Sequence, residues 1–135
     1  MSYATSAALQ SAVFAQLSGD AALSALVGGG VYDAVPAGDK PATFVVLGPE
    51  QVRDRSDSTG QGAEHRLTIS VHSTAAGFQE AKKAAAAVAA ALVDAPLVLS
   101  VGQLVGIGFL TAKAERTENG AARRIDLVFR ARVEE

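Results

Sequence analysis

Two histidines, His65 and His72, are the residues best placed for acid–base or metal chemistry. They sit seven positions apart on a segment whose apolar residues alternate, so they point to opposite faces of one strand. No cysteine exists and no further histidine lies at ligand spacing, so the roughly four N, S or O ligands that zinc takes are not in view. Ser56, Ser58 and Ser73 lack a nucleophile-elbow context, and His72 is the only base a triad could recruit. Asp54 and Asp57 fall in a polar stretch that gives a carboxylate pair no fixed geometry. Gly28-Gly29-Gly30 has no preceding strand and no following Gly-Lys-Ser/Thr, so it reads as a helix end and tight turn, not a phosphate cradle. The residues alone therefore point to no enzyme, no metal and no cofactor. The remaining chemistry is charge: Arg124, Arg130 and Arg132 share one face of the last strand, and Arg66 and His72 join them if their strand lies in the same sheet. Such a face is either ordinary solvated sheet, partly neutralised by Asp126, or a surface that meets an acidic partner.

The elements that position these groups centre on residues 64–92. Leu67, Ile69 and Val71 alternate with Arg66, Thr68, Ser70 and His72, giving a strand with one apolar face. From Ala75 the period changes to three and four through Phe78, Ala81, Ala85, Val88 and Leu92, the stripe of a helix predicted over 75–94 with Ser73 or Thr74 as cap and Pro96 as stop. Its outward alanines, Ala86 and Ala90, suit either solvent or another subunit. A first helix is predicted over Ser2–Leu17, and a short second one follows with Asp20 as N-cap. Strands are expected at 31–35, 43–47, 97–99, 103–116 and 123–133, with Asn119-Gly120 as the turn of the last hairpin. Gly106 and Gly108 inside their strand mark a bulge or a close backbone approach. Residues 50–63, EQVRDRSDSTGQGA, read as a long polar loop that becomes ordered only against a partner. The sum is one α+β domain over 1–135: a small, mostly antiparallel sheet against two helices, in the order α, short α, β, β, α, β, β.

The totals exclude several classes. A formal net charge of -2 and only 5% aromatics argue against a protein that grips nucleic acid. No apolar run is long enough to span a membrane, and the N-terminus lacks the pattern of a secretory signal. Much of the apolar content is alanine, which buries little area per residue, so neighbouring copies are expected to contribute to stability.

The order and spacing of LVGGGVYDAVP, ATFVVLGPE, GAEHRLTISVHS, AAGFQEAKKAAAAVAAAL and the C-terminal hairpin resemble the tail-completion, or tail-terminator, family of long-tailed phages and gene transfer agents. The likeness spans nearly the whole chain and rests on architecture, since no segment carries a catalytic signature. It implies a virion protein made in the bacterial cytoplasm that forms a ring, usually of six, on the head-proximal end of the tail. The ring stops polymerisation of the tail tube protein, presents its other face to a head-completion or stopper protein, and lets DNA through without gripping it. Contacts are then expected at Arg53, Asp54, Arg55 and Asp57 of the polar stretch, at Glu118 and Asn119 of the hairpin tip, and at Arg124, Arg130 and Arg132. The competing readings are another neck protein, such as the stopper itself, and a small-molecule-binding regulatory domain.

Overall fold

In a computed structural model, which describes residues 3–58 and 60–135, the chain is a five-stranded sheet with helices on one face. The elements are α1 (Ser6–Ser18), α2 (Ala21–Val27), β1 (Val31–Tyr32), β2 (Thr43–Asp54), β3 (Gly62–Ser73), α3 (Gln79–Leu92), β4 (Gln103–Thr117) and β5 (Ala122–Glu134). The sheet order is β1-β2-β3-β5-β4; β1 runs parallel to β2 and the other pairs are antiparallel. The class is that expected from the sequence, and the order matches it with the two-residue β1 added as an edge strand. Leu9, Val13 and Leu17 of α1, Leu23 and Val27 of α2, and Ala81, Ala84, Val88 and Leu92 of α3 are buried against Val45, Ile69, Val71, Leu127 and Phe129 of the sheet. Alanine at the buried positions of α3 brings that helix close to the strands.

Boundaries moved where non-local pairing or backbone geometry overrode local pattern. The expected start of the first helix at Ser2 lies outside the described residues. Asp20 caps α2 as expected, accepting from the Leu23 amide at 2.9 Å. The third helix begins at Gln79, not 75, because Gly77 sits at φ +73°, outside helical space. Ser73 consequently does not cap it; its Oγ accepts from the Ala75 amide and pairs with Thr43 Oγ1 at 2.8 Å. Residues 97–99 form no strand: Pro96 has no amide to donate and the Leu97 amide turns back to the Ala95 carbonyl.

The largest correction concerns residues 50–63. Glu50–Asp54 extends β2, Gly62 and Ala63 open β3, and of the described residues in this stretch only 55–58, 60 and 61 lie outside the two strands. The polar side chains of this stretch give it the local pattern of a loop. A strand between two paired neighbours, however, is held by its backbone ladder, and β3 pairs with β5 along its whole length.

Three bulges set which side chains face the helices. In β2 the pairs step from Leu47↔Ile69 to Glu50↔Leu67, so the Gly48-Pro49 region carries one extra residue. Pro49 lacks the amide a regular ladder would use, and a Cβ on Gly48 would stand 3.0 Å from the Thr68 carbonyl oxygen. In β4 the pairing slips by one residue between Leu104 and Gly106 and again between Phe109 and Thr111. Leu104, Ile107, Phe109, Ala112 and Ala114 thereby all fall on the helical side, opposite Val133, Ala131, Phe129, Leu127 and Ile125. This explains why residues 103–110 are apolar at both odd and even positions. The bulge expected from Gly106 is present; no atom lies within 4 Å of where a Cβ on Gly106 or Gly108 would stand.

Candidate interaction surfaces

The face of the sheet away from the helices carries the charge. Cross-strand pairing sets Arg66 opposite Arg130, His72 opposite Arg124, Glu64 opposite Arg132 and Ser70 opposite Asp126. The expectation that the arginines of the last strand share a face with Arg66 and His72 therefore holds. Most of them are already engaged. Arg124 grips Asp126 through Nε and Nη2 at 3.0 and 2.9 Å, and Ser70 Oγ donates to the same carboxylate at 2.6 Å. Arg66 Nε donates to Glu64 at 3.0 Å, and Arg132 Nη2 donates to the Arg55 carbonyl at 3.0 Å. Arg130 is exposed and is engaged least, acting on Glu64 by charge alone. It lies beside the bare backbone of Gly108, its β4 partner.

The other residues expected to make contacts fall into two groups at opposite ends of the strands. Arg53, Asp54, Arg55 and Asp57 gather at the β2–β3 tip, near the start of β4 and the end of β5. There Arg55 pairs with Glu64 at 3.6 Å, Asp54 accepts from the amide and hydroxyl of Ser56, and Asp57 accepts from the Gly60 amide at 3.0 Å. Glu118 and Asn119 form the β4–β5 turn at the other end, both at positive φ ahead of Gly120. These nine residues therefore do not make one site.

A polar cluster that the sequence did not reveal lies on the helical side. The β2 bulge turns Glu50 inward, where Oε2 accepts from His65 Nδ1 at 3.0 Å. Its Oε1 accepts from Ser6 Oγ at 2.8 Å and from the Tyr3 hydroxyl at 3.1 Å. His65 is fully buried, and its Nε2 has no partner among the described residues. The serine donates to the carboxylate and not to the imidazole, so the order of a Ser-His-acid relay is absent. The cluster ties the start of α1 to the centre of the sheet. His72, on the other face, stacks on Phe44 with centroids 5.1 Å apart. Among the described residues no group of three or more His, Asp or Glu side chains is arranged to hold a metal, and no helix is long and apolar enough to cross a membrane.

The charged face makes stability depend on pH in one direction. Burial, with Arg124 adding to it, pushes the His72 imidazole below its ordinary value. Hydrogen bonding from Arg66 holds the Glu64 carboxyl low. For Asp126, burial works against ionisation, but the bonds from Arg124 and Ser70 outweigh it and the carboxyl also lies low. In each case the unfolded chain takes up protons at a higher pH than the folded one, so acid destabilises. Stability should be flat above about pH 7, decline below about 6.5 as unfolded His72 protonates, and decline again below about 4.5 as Glu64 and Asp126 are titrated. Urea unfolding across this range checks it: His72→Gln should reduce the first decline and leave the second.

Apolar surface is left open at both ends of the sheet order. At the β4 end, Phe109 is 47% exposed, and a trough of about 310 Å³ runs between it, Ala112 and Ala114 on the strand and Lys82, Ala86 and Ala89 on α3. At the β1 end, a shallow concavity of about 730 Å³ lies along α1, between Tyr3, Ala7, Gln10, Ser11, Phe14 and Asp33.

The family model of the tail completion protein gp17 matches residues 11–134, from within α1 through all five strands. The chain belongs to this family. A solved chain from the virion of a native gene transfer agent particle is similar to it at 63% identity, with a TM-score of 0.95, covering 99% of this chain and 100% of that one. No curated protein matches. Membership makes the chain a structural tail-completion component of the phage type, and the resemblance in element order was to this family. The candidate functional features of such a component are its surfaces. Of these, the sequence revealed the arginine ladder through strand parity. It did not reveal the trough beside Phe109 or the inward turn of Glu50, because both depend on bulges.

Proposed function

We propose that the chain is the ring-forming terminator of a phage or gene-transfer-agent tail, placed at the head-proximal end. In that position it stops growth of the tail tube and joins the tail to the head-completion proteins. The observation that carries this reading is the pair of uncovered apolar patches at opposite ends of a sheet whose family completes tails. A patch at each end suits head-to-tail contact between identical copies, which closes into a ring. The match to a chain of a gene transfer agent virion supports the particle context. The chain's net charge of -2, with most arginines of the polar face engaged within the subunit, supports a ring that lets DNA pass without binding it specifically. Nothing in the cluster around Glu50 and His65 supports catalysis.

Imaging of particles with a tag on this chain tests the reading. A ring density at the junction of tail and head is expected, and for six copies a mass of about 82 kDa (six times 13.7 kDa) after release. Density at the portal side of the junction would instead make the chain the stopper. Arg130 is the exposed cation best placed to meet a partner. Arg130→Glu should leave thermal stability within about 0.5 kcal/mol, as expected for a surface change, while lowering the yield of joined particles. Unchanged joining would remove the arginine face from the contact.

A further inference from the structure

We infer that the outer face of α1 in one copy seats over β4 of the next, supplying the helix missing from that end of its helical layer. This rests on the ring reading and specifies which surfaces close the ring. Three features of the subunit lead to it.

The helical layer stops short. α1, α2 and α3 cover β1, β2, β3 and β5, whereas α3 meets only the margin of β4. Phe109, Ala112 and Ala114 nevertheless face the helical side, because the two β4 bulges turn them there. They are core-facing residues without a core above them. The small side chains of Ala86 and Ala89 on α3 leave room for a further helix alongside.

α1 has no charged face. Asp20 is the only charged side chain between residues 3 and 32. The exposed positions of α1 are Ala7, Gln10, Ser11, Phe14, Ala15 and Ser18. A helix whose outer side lacks charge and displays a phenylalanine is built to be covered on both sides.

The rims are of opposite sign. The β4 trough is bounded by Lys82, with Arg116 and Arg123 grouped around the Phe78 ring beside it at 5.5 and 5.9 Å. The α1 concavity is bounded by Asp33, held by Gln10 Nε2 at 2.6 Å. Docking α1 into the trough puts the acid of one copy near the basic rim of its neighbour, which sets register. Pairing β4 with β4 across a two-fold axis would leave both α1 faces uncovered. Because β1 and β4 are the two edges of the sheet, each copy offers one trough and one α1 face, as a closing heterologous ring requires.

The chain has no cysteine, so site-directed cross-linking starts from a silent background. Ser11→Cys and Ala112→Cys are introduced singly and together, and assembled particles are treated with a flexible bis-maleimide. The double variant should give a ladder of linked copies up to the ring number, and the single variants none. Ala86→Arg, on an exposed helix position, should keep the native circular dichroism and melting temperature yet enter particles at least tenfold less. If the ring is present by imaging but single variants link into dimers, the contact is two-fold and the inference fails. It fails equally if the cysteines link only to another tail protein, or if Ala86→Arg is incorporated normally; in these cases the ring reading stands. A single copy per particle would overturn both.

Discussion

Phe129→Ala should destabilise the subunit by about 3–5 kcal/mol, the range for emptying a phenylalanine site in a packed core. For a chain of this size that lowers the melting temperature by roughly 10–20 °C. Phe129 lies at the middle of β5, flanked by Leu67 on β3 and Phe109 on β4, and is fully buried. Its ring meets that of Phe109 nearly edge-on, with centroids 6.0 Å apart and planes at 71°. Truncation leaves a cavity beneath α3 and also removes the support of Phe109, the residue that lines the β4 trough. Sheet backbones on both sides limit collapse into the space, so the cost should lie toward the upper end. Phe129→Leu keeps most of the volume and should cost less than about 1.5 kcal/mol. Urea or thermal unfolding of the two variants decides the matter. A loss below about 1 kcal/mol for the alanine variant would mean that the site is not packed as described.

Glu50→Ala should cost about 2–4 kcal/mol, although Glu50 is itself partly exposed. The reason is the asymmetry between unmaking a buried hydrogen bond and never having it. The carboxylate satisfies His65 Nδ1, Ser6 Oγ and Tyr3 OH together. Without it, a fully buried imidazole has neither nitrogen partnered, since Nε2 already lacks a partner among the described residues. His65→Leu should cost less than Glu50→Ala, because the carboxylate it abandons can still reach water and the two hydroxyls. Combining His65→Leu with Glu50→Ala should cost less than the sum of the two single losses, since no buried imidazole is then left without a partner. The comparison is made by chemical unfolding of the three variants as a cycle. Additive losses would show that Glu50 and His65 act independently and that the cluster is not a unit. Deleting Gly48 gives a further check on geometry: with the bulge gone, residue 50 turns to the polar face, and the deletion should reproduce at least the Glu50→Ala loss.

The contrast between these two sites shows how far the sequence could be read. Phe129 was legible as core because Ile125, Leu127, Phe129, Ala131 and Val133 alternate without interruption, and an alternating strand declares its buried face locally. The same rule put Arg124, Arg130 and Arg132 together on the other side. Glu50 obeyed no such rule. By side-chain character it belongs to a polar loop, because residues 50–63 have little to bury, but a strand is also held by its neighbours' backbones, and only the paired sheet shows that β3 and β5 run alongside.

Taken alone, the sequence determined the α+β class, the order of helices and strands, the caps at Asp20 and around Gly28, and the polar and apolar faces of β3 and β5. Each of these follows from side-chain period or backbone preference over a few residues. Tertiary structure decided the register: the extra residues near Gly48, at Val105 and at Leu110 reverse the facing of everything beyond them. It also decided that the β2–β3 and β4–β5 tips lie at opposite ends, that Glu50 reaches His65, and that β4 is left without a helix above it. Those are properties of pairing between distant segments, and a bulge becomes visible only when the partner strand counts one residue fewer.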